Sequence, residues 1–174
     1  EQGKLDEAEP LCVGAAAWVR ENKGPRDGGT VGFVADLVEL RRRQGRLAEA
    51  EQELGSLVAD ARAGLGPQHV KTLIAEAVAA RLRHAQPDGA AAGAAELRAL
   101  VEKTSEFVGE EHPFTLSRMG ELGDWLQEQG KLDEAEPMIL KALAWSRKQY
   151  GPQDSGTILN VGCLVELRRR QGRL

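Results

Sequence analysis

The decapeptide EQGKLDEAEP at residues 1–10 recurs letter for letter at 128–137, and LVELRRRQGRL at 37–47 recurs at 164–174, both displaced by 127 positions. Such self-similarity constrains the fold strongly, because a repeated segment folds as a repeated structural unit that buries its apolar face against its neighbours. The displacement is itself composite. Gly24, Gly66, Gly109 and Gly151 lie 42, 43 and 42 residues apart, and Thr30, Thr72, Thr115 and Thr157 follow them at the same spacings. The unit is therefore about 42 residues long, in the range of helical repeat arrays. The one extra residue falls in the run GAAAGAAEL at 89–97, where either Ala92 or Gly93 can be matched to Ala8, Ala50 and Ala135.

Within each unit the apolar residues keep helical spacing. Val31, Val34, Leu37 and Leu40 follow Thr30; Leu116, Met119, Leu122 and Trp125 follow Thr115; Ile158, Val161, Leu164 and Leu167 follow Thr157. These stripes predict a first helix, A. A turn at Gly45, Gly130 and Gly172 precedes a second stripe, seen as Leu47, Ala50, Leu54 and Leu57 or as Leu132, Ala135, Ile139 and Ala142. That stripe predicts a helix B, ending at the Gly-Pro pairs of 24, 66 and 151 and at Gly109, since glycine takes the left-handed position after a helix and proline stops continuation. Ala8, Ala50 and Ala135 near the start of helix B predict a close crossing with helix A. The organisation expected is one array: helix B of a first unit over 1–24, full units over 25–66, 67–109 and 110–151, and helix A of a last unit over 152–174.

Composition narrows the function classes. No run approaches the roughly 18 apolar residues of a membrane helix, and 23 basic against 27 acidic side chains, net −4, lack the basic excess that phosphate binding demands. A membrane span and a nucleic-acid partner are not expected. Cys12 and Cys163 are too few for a disulfide framework and read as reduced core residues, which predicts a cytoplasmic protein. His69 and His112 share one linker slot and read as caps, while His84 has no metal-spaced partner. Asp6, Glu7, Asp133 and Glu134 fall in the first turn of helix B, where the helix dipole favours them. Trp18, Trp125 and Trp145 sit at spacings that suit a core. No phosphate loop, metal set or combination of nucleophile, base and orienting group occurs, so neither an enzyme nor a cofactor is expected.

The run MGELGDWLQEQGKLDEAEPMILKALAWSRKQYG at 119–151, with GEEHPFTL before it at 109–116, resembles the 42-residue tetratricopeptide repeats of kinesin light chains and related proteins. The resemblance covers the whole chain and implies an all-α fold, a right-handed α-solenoid (superhelix) of antiparallel helix pairs. It also implies a non-catalytic scaffold for protein–protein interaction, with helix A lining a concave groove that holds a peptide or partner protein. By the family register the groove slots include Arg42, Arg43, Arg81, Asp124, Gln127, Arg169 and Arg170. Asn160 matches the helix-A asparagines with which kinesin light chains help hold cargo peptides. Arginines at the late slots suit an extended acidic partner, since a guanidinium pairs bidentately with a carboxylate.

Two other readings stand beside it: a structural spacer or self-assembling segment, and a regulatory array within a larger multidomain protein. Residues 1–22 supply a helix B without its helix A, and 155–171 a helix A without its helix B. A sequence that opens mid-pattern without methionine predicts a piece of a longer array, and its uncovered faces offer end-to-end self-association as the alternative.

Overall fold

The structure, a computed structural model, describes residues 2–173, with side chains from Glu7 onward. The described residues form nine helices and no strand: α1 (Gln2–Lys23), α2 (Gly28–Arg43), α3 (Leu47–Leu54), α4 (Leu57–Leu65), α5 (Val70–His84), α6 (Ala90–Val108), α7 (Pro113–Glu128), α8 (Leu132–Tyr150) and α9 (Ser155–Arg170). They divide into two compact units, Glu1–Gly93 and Ala94–Leu174.

The linkers show why the chain breaks where it does. Gly24, Gly66, Gly109 and Gly151 all take positive φ, between 84° and 93°, a conformation that glycine alone adopts without strain. Three residues later a side chain caps the next helix. Asp27 accepts from the Gly29 N–H at 2.8 Å, Asp154 from Gly156 at 2.9 Å, His69 Nδ1 from Lys71 at 3.1 Å and His112 Nδ1 from Phe114 at 3.2 Å. The histidines of the shared slot thus do the aspartates' work, satisfying an N–H that the first helical turn leaves without an acceptor.

The repeated threonines are all buried. Thr30 Oγ1 donates to the Gly24 carbonyl at 2.8 Å and Thr72 Oγ1 to the Gly66 carbonyl at 2.7 Å, tying the end of one helix to the start of the next. The Thr115 and Thr157 hydroxyls find no partner among the described residues. A buried hydroxyl without a partner costs stability, whereas a made bond contributes on the order of 1 kcal/mol. Thr72→Val is accordingly expected to cost about 1–2 kcal/mol and Thr115→Val to be neutral or mildly stabilising, read from paired urea melts.

In the first unit α2 is the central element. Val31, Val34, Ala35, Leu37 and Val38 are each at most 2% exposed and pack in one cluster with Ala16 of α1, Ala50, Leu57 and Ala61 of α3 and α4, and Ala75, Val78 and Leu82 of α5. In the second unit Leu116, Leu122 and Leu126 of α7, Ile139 of α8 and Leu167 of α9 are fully buried. Ala50 and Ala135 are both inaccessible, as the expected close crossing requires.

A polar staple repeats beside this core. Glu9 of α1 is held by Arg41 and by Gln44 and Arg46 of the following turn. In the second unit Glu136 of α8 is held in the same way by Arg168, Gln171 and Arg173. Hydrogen bonding from Arg46 chiefly lowers the Glu9 pKa, and from Gln171 that of Glu136. The repeated DEAE and RRRQGR motifs are the two halves of this staple, which joins helix B of one repeat to helix A of the next.

Several expectations are corrected. The second stripe of the first unit is not one helix: it breaks at Gly55–Ser56 into α3 and α4, because Gly55 is a poor helix former and Ser56 turns its hydroxyl to Asp60 at 2.6 Å. The extra residue of the Ala-rich unit lies in the turn at 85–89, two residues longer than the turns at 44–46 and 129–131, while α5 ends one residue early. Gly93 takes the close-crossing slot: a Cβ there would lie 2.6 Å from the His84 N and Cβ atoms and 2.7 Å from the Ala80 carbonyl oxygen. Trp18 is 58% exposed instead of core, because no described helix covers that side of α1, whereas Trp125 is buried. Trp145 is half-buried and meets Tyr150 edge to face, with ring centroids 5.2 Å apart. Cys12 and Cys163 are free thiols, each half-buried rather than enclosed.

Candidate functional site

The arginines expected in the groove gather around carboxylates of their own chain. In the first unit Glu39 of α2 accepts from Arg42 through Nε and Nη2, both at 2.9 Å, and from Arg43 Nε at 2.9 Å. Arg81 Nη1 of α5 lies 4.0 Å away. Burial pushes the Glu39 carboxyl up, but the Arg42 and Arg43 hydrogen bonds, with the charges of Arg42 and Arg81, outweigh it and hold its pKa at about 2. Arg42 and Arg43 share this one carboxylate, which fixes both arginines in place.

The second unit repeats the arrangement on α9. Glu166 accepts from Arg169 through Nε and Nη2, both at 2.7 Å, and from Arg170 Nε at 2.7 Å. The Arg169 and Arg170 hydrogen bonds lower its pKa to about 2. Arg170 also donates from Nη1 to the backbone carbonyl of Gln127 at 2.8 Å, joining the ends of α9 and α7. Gln127 is buried, and its Oε1 has no partner among the described residues.

The remaining expected residues have other neighbours. Asp124 Oδ1 accepts from the Cys163 thiol at 3.6 Å. Burial, aided by the Asp124 charge, pushes that thiol up to about 11 and keeps it protonated. Asn160 donates to the Ser146 hydroxyl at 3.2 Å, and its Oδ1 lies 3.1 Å from where a Cβ on Gly120 would stand. The absence of a side chain at Gly120 therefore makes room for Asn160.

The arrangement thus brings Arg42, Arg43 and Arg81 together in the first unit and Arg169 and Arg170, with Gln127 beneath, in the second. The part that sequence reasoning missed is the pairing. Its signal is present as ELRRR, since Glu followed by Arg three and four positions later shares a helix face.

Paired, capped helices with charged clusters on helix A define a helical-repeat protein. Residues 115–154 match the family model of the tetratricopeptide repeat. The structure is similar to BtubC (BKLC) from P. vanneervenii, with a TM-score of 0.75 at 16% identity over 96% of this chain and 66% of that one. It is also similar to the kinesin light chain nearly identical TPR-like repeats of Podosopora anserina, with a TM-score of 0.72 at 20% identity over 98% of this chain and 81% of that one. A variant of that protein gives a TM-score of 0.73 at 19% identity, covering 98% and 80%. No curated protein matches the chain by sequence. The fold is that of kinesin light chain-like tetratricopeptide repeats. Among the described residues no helix is long and apolar enough to cross a membrane.

Proposed function

We propose that the chain is a non-catalytic scaffold whose helix-A faces bind an acidic segment of a partner protein. The observation that carries this reading is that two neighbouring arginines are held on one carboxylate at each of two equivalent helix ends: Arg42 and Arg43 share Glu39, and Arg169 and Arg170 share Glu166. Each internal glutamate fixes its arginines, so an incoming carboxylate meets guanidinium groups whose side-chain freedom is already reduced, which lowers the entropic cost of binding. Arg43 and Arg169 are the most exposed members, at 61% and 66% of the side chain, and are the groups a partner reaches first. The two free cysteines fit a reducing compartment, the cytoplasm.

The test is selection from a randomised peptide library with the 174-residue protein, repeated with Arg43→Glu plus Arg169→Glu. Asp- and Glu-rich binders are expected from the native protein, with affinity falling at least tenfold in the variant and with added salt, since exposed charges are screened. Loss of binding counts only if the variant melts as the native protein does. Enrichment of binders indifferent to both reversals would refute the reading.

A further inference from the structure

Lys71, in the first turn of α5, lies across the start of α2. Its Cγ is 4.0 Å from where a Cβ on Gly28 would stand, and its Cδ, Cε and Nζ are 3.9, 3.6 and 2.9 Å from where a Cβ on Gly32 would stand. The stem thus follows one turn of α2 and sets the ammonium on Gly32, in space that a larger residue there would fill. Lys71 is half-buried, yet among the described residues no carboxylate stands within ion-pair distance of its ammonium and no acceptor takes a hydrogen bond from it. Other half-buried basic side chains are paired: Arg41 with Glu9 and Glu53, Arg42 with Glu39, Arg168 with Glu136. The slot of Lys71 holds Gly29, Phe114 and Gly156 in the other units, so the repeat pattern does not require a lysine there. A half-buried charge without a counter-ion costs stability, and no group of the fold offsets that cost.

We infer that Lys71 is a second carboxylate anchor, which together with the arginines around Glu39 sets the spacing of acidic side chains in the bound partner; the inference rests on the scaffold reading above. Gly32 and Arg42 are ten residues apart on α2, and Lys71 and Arg81 are ten apart on α5. On both helices that separation is about 15 Å, at roughly 1.5 Å per residue. The cations therefore mark the two ends of one stretch of the α2 and α5 pair. The slots between them, Ala35, Ile74 and Ala77, are apolar. In an extended segment, side chains four positions apart share a face and lie about 13 Å apart, a span that flexible side chains extend to the two anchors. The partner that fits carries an acidic residue at each end of such an interval, with apolar residues between.

Fluorescence anisotropy with two short labelled peptides, capped at both ends, tests the spacing. Both carry two aspartates on an alanine and serine background, four positions apart in one and adjacent in the other, so their charge is the same. The 174-residue protein is expected to bind the spaced peptide about fivefold more tightly, the factor that one partly exposed ion pair supplies. Lys71→Met keeps most of the stem without the charge and is expected to bind the two peptides alike, while unfolding at the same urea concentration as the native protein or a higher one. Gly32→Ala keeps the charge but puts a Cβ 2.9 Å from the ammonium, whose flexible end must move away, and is expected to lose the preference as well. Equal binding of the two peptides by the native protein overturns the proposal, as does a preference that survives Lys71→Met or Gly32→Ala. A Lys71→Met protein that melts well below the native one also overturns it, since the ammonium would then have a partner within the fold. If binding in any of these cases still falls with Arg43→Glu, the scaffold reading stands without the Lys71 anchor; if neither peptide binds the native protein at all, both fall.

Discussion

Gly93→Val is expected to lower the stability of the first unit by about 3 kcal/mol, toward the upper end of what overpacking costs. Two effects oppose one another at this position. Glycine within a helix is worth up to about 1 kcal/mol less than alanine, so a side chain would favour α6 if space existed. Space does not exist: the atoms within 2.7 Å of where a Cβ would stand include the His84 backbone nitrogen and the Ala80 carbonyl oxygen, which no rotamer change can move. Relief requires α5 and the start of α6 to separate, opening the crossing that Ala50 and Ala135 make elsewhere. Sterics therefore win. Gly14 of α1 provides the control, because a Cβ there meets nothing within 4 Å and Gly14→Ala gains the helix propensity without the clash, about 0.5–1 kcal/mol. Urea melts of the two variants should move in opposite directions; a neutral Gly93→Val would show that the crossing is looser than these distances require.

Glu39→Gln is the second large effect, expected to cost about 2 kcal/mol at neutral pH. The substitution keeps the size of the side chain but removes the charge on which Arg42, Arg43 and Arg81 converge. Removing the carboxylate costs more than the cluster contributes, since Arg42 stays partly desolvated while the exposed Arg43 regains solvent. Glu39 is 18% exposed, which screens part of the effect and keeps the figure below the roughly 3–5 kcal/mol of a fully buried pair. The pH dependence has a definite sign. The folded pKa of about 2 is depressed from 4.5, so the contribution is complete above 4.5 and is lost as pH falls through about 2. The gap between native and Glu39→Gln melting curves should accordingly be widest near neutral pH and narrow steadily below pH 4.5. A gap that stays constant as pH approaches about 2 would mean that the carboxylate's charge is not what holds the cluster.

The helices, their A and B alternation and the capping slots are legible in the sequence because each rests on local chemistry: three- and four-residue apolar spacing, glycine where φ is positive, and a side-chain acceptor three residues later. What is not legible depends on neighbours distant in the chain. The decapeptide EQGKLDEAEP illustrates this most directly. At 128–137 Gly130 turns, with its N–H on the Gln127 carbonyl and that of Lys131 on the Leu126 carbonyl, and α8 starts at Leu132; at 1–10 the same letters are helical from Gln2. The second copy turns where the end of α7 presents its carbonyls. Likewise, Val161 and Val34 occupy one slot of the repeat but differ in exposure, since burial is set by the helix opposite. The choice of Gly93 over Ala92 for the crossing slot depends on the His84 backbone, which periodicity alone does not report. The candidate site is half legible: the repeat register finds the arginines, but it does not show that Glu39 and Glu166 hold them.

The most direct test of the scaffold reading is a heteronuclear NMR titration of the protein with one acidic peptide from the library selection, following backbone amides and the arginine Nε–H groups. Perturbations are expected to concentrate on the last turns of α2 and α9, with the Nε–H resonances of Arg43 and Arg169 moving in proportion to peptide bound and returning with added salt. Perturbations confined to helix-B surfaces, or arginine resonances that stay still while the peptide binds, would contradict it.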